Sequence, residues 1–200
     1  MSAEAPLAGL VLAGGRSQRM QRDKAALEFG GETQLARAVR LVGRYAPSTF
    51  VSVRPDQQHD PERRRFPQIV DRLADAGPAA GILAALDARP DHAWLVVAVD
   101  LPLLDAATLE RLIAARVPGA VATAYRSAED GLPEPLCAIW EPASRTPFEA
   151  FVAGGRSCPR KFLLTHAAPL VELASPGALA NVNTPSDYAA ALARAAGTAP

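Results

Sequence analysis

A chain of 200 residues, 49% hydrophobic and 21% charged, has the composition of a soluble globular domain, and at this length roughly 70% of the unfolded surface can be buried around one core. Lys+Arg and Asp+Glu number 21 each, for a net charge of zero. That balance argues against nucleic-acid binding through bulk basic charge and leaves room for a local basic pocket.

The N-terminal Met1-Ser2-Ala3-Glu4-Ala5-Pro6 has no basic segment ahead of an apolar core, and Leu7 to Gly15 is too short and too glycine-rich to span a membrane. A cytoplasmic protein without a membrane partner is expected. Leu7 to Ala13, bounded by Pro6 and Gly14, reads as a strand buried on both faces. Gly14-Gly15 then opens a loop that carries Arg16, Arg19, Arg22 and Lys24. Glycine lets backbone N–H groups approach a ligand closely and permits φ > 0, and consecutive N–H groups make an anion-binding concavity. On its own the loop suits either a polyphosphate cradle or a strand-to-helix turn whose charges face water.

Gly30-Gly31 marks a turn, after which Leu35, Val39, Val42 and Tyr45 recur at helical spacing up to Pro47. Thr49 to Val53 is a strand by β-branched content, and Gln68 to Val70 is a third strand ending at Asp71. Between them, Arg63-Arg64-Arg65 reads as a solvated charge run. Ala79 to Leu86 is an Ala-rich helix, Trp94 to Val99 a nearly continuous apolar strand ending at Asp100, and Leu109, Leu112 and Ile113 one face of a helix that Asp105 would cap. Ala120 to Tyr125 is a strand, Ser127 to Pro135 a polar loop, and Leu136 to Trp140 a strand. Helices are expected around Phe148–Val152 and Phe162–Leu164, a late strand at Leu170–Leu173 and a terminal helix over Ser186–Ala196. This alternation predicts an α/β fold: a single three-layer domain with a mostly parallel twisted sheet, spanning 1–197 with 198–200 as a frayed tail.

In open α/β sheets, ligands bind beyond the carboxyl ends of the strands. Three strands here end in Gly14-Gly15, Asp71 and Asp100, which the topology would bring to one sheet edge. G-x-G-x-x-G, Walker A and G-x-S-x-G patterns are absent, which disfavours an NAD enzyme, a P-loop NTPase and a nucleophile-elbow hydrolase. The three histidines (His59, His92 and His166) show no ligand spacing and read as surface or structural groups. Cys137 and Cys158 form no Cys-x-x-Cys or Cys/His cluster, so a zinc site is not expected and buried or inert thiols are. A carboxylate directly after an apolar strand is costly when unpaired, and a hard divalent cation shared with substrate phosphates would compensate Asp100. Asn181 and Asn183 would point the same way in an extended segment, where they either contact a ligand or form a turn before Thr184-Pro185.

Assembled, these residues resemble the molybdenum cofactor guanylyltransferases of the nucleotidyltransferase superfamily. Four segments carry the resemblance in family order: Leu12 to Lys24, Gly77-Pro78-Ala79-Ala80-Gly81, Asp100-Leu101-Pro102 and Asn181-Val182-Asn183-Thr184-Pro185. It implies a Rossmann-like nucleotidyltransferase fold and an enzyme that joins GMP from GTP to the terminal phosphate of Mo-molybdopterin, releasing pyrophosphate. By the same resemblance Leu12, Ala13, Gly14, Gly15, Lys24, Ser52, Asp71 and Asp100 bind the nucleotide, with Asp71 reading guanine or ribose. Asp100 holds Mg²⁺, Arg19, Lys24 and Asp100 are catalytic, and Asn181 and Asn183 face the acceptor. It also implies a monomer that meets molybdenum-insertion proteins, or apo-molybdoenzymes and their chaperones. Gly14 favours guanine, since relatives that choose cytosine tend to carry Ala there. Gln21 stands where the family has glycine, and Pro133 to Leu136 where a substrate-facing loop is expected. The alternatives are a relative using CTP or a sugar-phosphate acceptor, and a non-catalytic nucleotide-binding module.

Overall fold

A computed structural model describes residues 4–15, 23–29, 31–175, 177–182 and 184–195. Its strands are β1 (Leu7–Leu12), β2 (Glu28–Phe29), β3 (Glu32–Thr33), β4 (Thr49–Val53), β5 (Gln68–Val70), β6 (Ala93–Ala98), β7 (Ala122–Arg126), β8 (Pro133–Trp140) and β9 (Leu170–Val171). The helices are α1 (Gln34–Gly43), α2 (Pro78–Ala88), α3 (Ala106–Ala114), α4 (Arg145–Ala153), α5 (Pro159–Thr165) and α6 (Pro185–Ala195). Among the described residues, seven strands form one sheet in the order β5-β4-β1-β6-β8-β7-β9, while β2 and β3 make a separate hairpin. Pairing is parallel except where β8 runs antiparallel between β6 and β7. The chain therefore builds outward from β1 through β4 and β5, then crosses back to place β6 on the other side of β1.

Successive β1 side chains point to opposite faces, and both faces are covered. Val11 packs with Val51, Leu95 and Val97 under α1 and α3. Leu10 packs with Trp94 and Val96 under α2, α4 and α5. Burial on both sides explains why β1 and β6 read as apolar runs without alternation. Helix α1 starts at Thr33, whose hydroxyl accepts from the Ala36 N–H at 3.2 Å, and it buries Leu35, Ala38, Leu41 and Val42. Asp105 caps α3 by accepting from the Thr108 N–H at 2.8 Å, as its position ahead of the apolar pattern predicts. Residues Ala79 to Leu86 of α2 are all buried, so this helix has small side chains where a surface helix would show a polar face. No helix among the described residues is long and apolar enough to cross a membrane. Cys137 is buried, Cys158 is exposed, and both are free thiols.

Two expectations from the sequence are corrected. The segment around Pro133 is strand rather than loop: Pro133 and Glu134 pair with Arg126 and Tyr125 of β7, whereas β6 pairs with β8 only from Cys137 onward. Prolines are tolerated where no second neighbour needs their missing N–H. Of the arginine run, Arg64 and Arg65 are exposed but Arg63 is 1% exposed, because its guanidinium has partners inside the fold, described below.

A second arginine with a largely covered side chain, Arg116, closes the opposite end of the molecule. Arg116 meets the fully buried Glu141 through two hydrogen bonds, at 2.6 and 2.9 Å, and also donates to the Ala5 carbonyl at 2.9 Å. Arg116→Met leaves the buried Glu141 carboxyl group without its ion-pair partner. The expected loss is roughly 3–5 kcal/mol of unfolding free energy in urea titrations, and a loss under about 1 kcal/mol would contradict this role.

Candidate active site

The carboxyl ends of β5, β4, β1 and β6 border a cleft of about 630 Å³, within the roughly 300–1,000 Å³ of small-molecule sites. The chain reverses direction of growth beside β1, and such switch points leave a crevice because the flanking connections leave on opposite faces. Leu12, Ala13, Gly14, Gly15, Lys24, Ser52, Asp71 and Asp100 all line it. Residues separated widely in sequence thus converge as the strand-end rule predicts.

The base of the cleft is the end of β1. Ladder bonds continue past it, with the Ala13 N–H donating to the Ser52 carbonyl at 3.2 Å and the Val99 N–H to the Leu12 carbonyl at 3.1 Å. Gly14 is not among the positive-φ glycines. Its need is space: a Cβ there would sit 3.3 Å from Asp71 Oδ2 and 3.6 Å from Arg54 Cγ. Arg54, just after β4, donates to the Gly14 carbonyl and to the Asp56 carboxylate. Arg63 donates to the Ala13 carbonyl through Nε at 3.1 Å and Nη2 at 2.8 Å, and it pairs with Asp23 and Asp60.

On the β4–β5 side, the Ser52 hydroxyl donates to Asp71 Oδ1 at 2.8 Å, with both residues buried. Gly81 of α2 packs directly on Ser52 Oγ, and any Cβ there would collide with it and with Leu12 Cδ2. The small residue keeps Ser52 aimed at Asp71. Burial pushes the Asp71 carboxyl above its ordinary value, opposed by the Ser52 hydrogen bond and the Arg54 guanidinium. The first turn of α2, at Gly77, Pro78 and Ala80, also lines the cleft and directs the positive end of the helix dipole toward it.

On the β6 side, Lys24 Nζ donates to Asp100 Oδ2 at 3.0 Å. Asp100 Oδ1 is buried and has no hydrogen-bond partner among the described residues. An orphaned buried carboxylate oxygen is costly and fits a hard cation that takes oxygen ligands. No group of three or more His, Cys, Asp or Glu among the described residues could hold a metal alone. A cation such as Mg²⁺, which keeps waters and shares substrate phosphates, needs only one or two protein carboxylates, so Asp100 suits it. The Val182 N–H donates to the Asp100 carbonyl at 3.0 Å, which brings the segment before α6 beside this carboxylate.

Asn181 is exposed and is not among the residues lining the cleft. Arg19, Asn183 and Gln21 lie outside the described residues. Leu136 of β8 lines the cleft, so the segment expected as a substrate-facing loop reaches the site as a strand. Sequence reasoning missed Arg54 and Arg63. The strand-end rule applied to β4 would have found Arg54. Nothing in the Arg63 neighbourhood of the sequence marks it as buried.

The chain matches the MobA-like NTP transferase domain over residues 9–170. It is 36% identical over 185 residues to the molybdenum cofactor biosynthesis bifunctional protein of Synechocystis sp., a match covering 92% of this chain and 53% of that protein. The chain thus spans about half the length of that relative. It is 35% identical to the molybdenum cofactor guanylyltransferase of Rhizobium johnstonii, over 90% of this chain and 89% of that one. The crystal structure of molybdopterin-guanine dinucleotide biosynthesis protein A from Archaeoglobus fulgidus has a TM-score of 0.73 at 22% identity, covering 94% and 98% of the two chains, and so shares the fold.

The raised Asp71 pKa has a consequence for stability. The folded chain binds this proton more readily than the unfolded chain, whose carboxyl titrates at its ordinary value of 3.8. Between the two values stability falls as pH rises, so ionised Asp71 costs stability at neutral pH. Asp71→Asn is expected to raise the urea midpoint of the ligand-free chain at pH 7, with the gain fading as pH falls through the folded-state pKa. A variant less stable than wild type at pH 7 would contradict the assignment.

Proposed function

This chain belongs to the MobA-like NTP transferase family, and we propose that it acts as a molybdenum cofactor guanylyltransferase, moving GMP from GTP to the terminal phosphate of Mo-molybdopterin with release of pyrophosphate. The observation that carries this reading is the convergence in one cleft of the glycine turn after β1, the buried Ser52–Asp71 pair and the Lys24–Asp100 ion pair. It offers a nucleoside end and a phosphate end at once. The two relatives, a molybdenum cofactor biosynthesis bifunctional protein and a molybdenum cofactor guanylyltransferase, support the choice of nucleotide and acceptor.

At the nucleoside end, Asp71 is a buried carboxylate that can only accept hydrogen bonds when ionised. It therefore suits the N–H donors of a guanine edge or the ribose hydroxyls, and Gly14 leaves the approach to its Oδ2 open. At the phosphate end, Lys24 supplies a point charge for the triphosphate, and Arg19 is assigned there from the sequence signature. Asp100 would hold Mg²⁺, which when bound neutralises phosphate charge. The acceptor's terminal phosphate oxygen attacks the α-phosphorus of GTP. A new P–O bond forms there, and the bond from that phosphorus to the β-bridging oxygen breaks, freeing pyrophosphate. The nucleophile is already an anion, so the protein's contribution is positioning and charge neutralisation rather than proton transfer. Lys24 stabilises the charge that builds on the departing pyrophosphate. Asn181 and Asn183 are assigned to the acceptor from the sequence signature.

Two measurements test this. With Mg²⁺ present, GTP at 100 times its Kd is expected to add about 2.7 kcal/mol of stability, more than CTP, ATP or UTP at the same concentration, and preference for CTP would overturn the base assignment. Lys24→Ala and Asp100→Ala are each expected to lower turnover at least about a hundredfold, the scale of one lost transition-state contact, whereas near-normal turnover in either removes its catalytic role.

A further inference from the structure

Arg63 is absent from the cleft lining, yet its buried guanidinium joins the two ends of the segment that opens the cleft. Nε and Nη2 donate to the Ala13 carbonyl at 3.1 and 2.8 Å. Nη1 and Nη2 donate to the two Asp23 carboxylate oxygens at 2.5 and 2.9 Å. Nη1 also lies 3.2 Å from Asp60 Oδ1, and that same oxygen accepts from the Glu62 and Arg63 backbone N–H groups at 3.1 and 3.0 Å. Ala13 immediately precedes residues 14–22, and Asp23 immediately follows them. The other Asp23 contact points forward: Oδ1 accepts from the Ala25 N–H at 3.0 Å and so starts the short 3-10 turn Lys24–Ala26. One planar side chain thus ties the end of β1 to the turn from which Lys24 reaches Asp100.

We propose that Arg63 is a positioning residue for the nucleotide phosphates, clamping Asp23 to the Ala13 carbonyl so that Lys24 is presented to the triphosphate in a preset position. The proposal rests on the reading of the cleft as a GTP site. A lysine whose turn is already fixed has less ordering entropy to lose when ligand arrives. The contacts are specific to arginine, because a lysine ammonium has no planar fork able to serve a carbonyl and both oxygens of a carboxylate together. Burial lowers the Arg63 pKa, but Asp23 and Asp60 more than offset it, so the clamp stays charged across the working pH range.

The test uses the full chain carrying Asp23→Asn, Arg63→Lys, Arg63→Gln, or Asp23→Asn with Arg63→Gln. Asp23 is 37% exposed, and an asparagine there keeps an oxygen for the Ala25 N–H, so this variant isolates the clamp from folding. The expected result is a KM for Mg·GTP raised at least about tenfold in Asp23→Asn and in Arg63→Lys, with kcat and the acceptor KM within about threefold of wild type. The double variant should be no worse than Arg63→Gln alone by more than about threefold, because both changes cut one linkage. A merely structural role would instead lower kcat through a smaller active fraction at unchanged KM, and that result, or additive losses in the double variant, overturns the proposal. If wild-type protein transfers nothing from GTP, the functional reading fails, and the clamp is decided by amide exchange at Ala25 and Ala26 in the ligand-free chain. Faster exchange at both in Asp23→Asn and Arg63→Lys upholds the clamp, and wild-type exchange refutes it.

Discussion

Lys24 and Asp100 stand 76 residues apart in the chain, and their side chains meet at 3.0 Å. The contact ties the turn that follows the first loop to the end of β6, and it sets the polarity of the cleft. Neither partner is fully buried, so the pair remains within reach of ligand and solvent. One Asp100 oxygen is occupied by Lys24 while the other is buried with no partner among the described residues, an arrangement that is expensive in the chain alone and that a bound cation would relieve. The site's remaining features follow from the same sheet edge: β5 leads into Asp71, β4 contributes Ser52, and β1, between β4 and β6, leads into Gly14 and Gly15.

Charge around this edge is arranged in two layers. Lys24, Arg54, Asp71 and Asp100 line the cleft. Arg63 lies behind them and bonds to backbone and carboxylate groups of the loop's ends. The inner arginine spends its donors on the protein, so it organises rather than binds. Gly14 and Gly81 complete the arrangement by their lack of a side chain, one beside Asp71 and the other beneath Ser52. The chemistry assigned to this cleft demands little acid–base work, which agrees with a site built from fixed charges and backbone groups.

Much of this was legible in the sequence, for definable reasons. Apolar runs broken by Gly14, Asp71 and Asp100 mark strands buried in a parallel sheet, and such strands deliver their C-terminal residues to ligand. Asp105 is readable as a helix cap because capping is local. Ser52 was reachable only through family resemblance, since its importance depends on Asp71 across two strands. Arg63 was not legible at all: its burial depends on Ala13 and Asp23, 50 and 40 residues away, and a run of three arginines is ordinarily solvated. The strand at Pro133 was hidden because the proline rule depends on which neighbours pair, and only tertiary structure shows that β7 alone does so there.

The reaction proposed for this cleft is group transfer at the α-phosphorus of GTP. Incubating the chain with Mg²⁺, Mo-molybdopterin and GTP labelled either at the α- or the γ-phosphate tests it most directly. The account predicts that α-label enters the pterin product as a guanine dinucleotide while γ-label leaves as pyrophosphate. Recovery of γ-label on the acceptor, or of γ-label as free phosphate with GDP left behind, would contradict it.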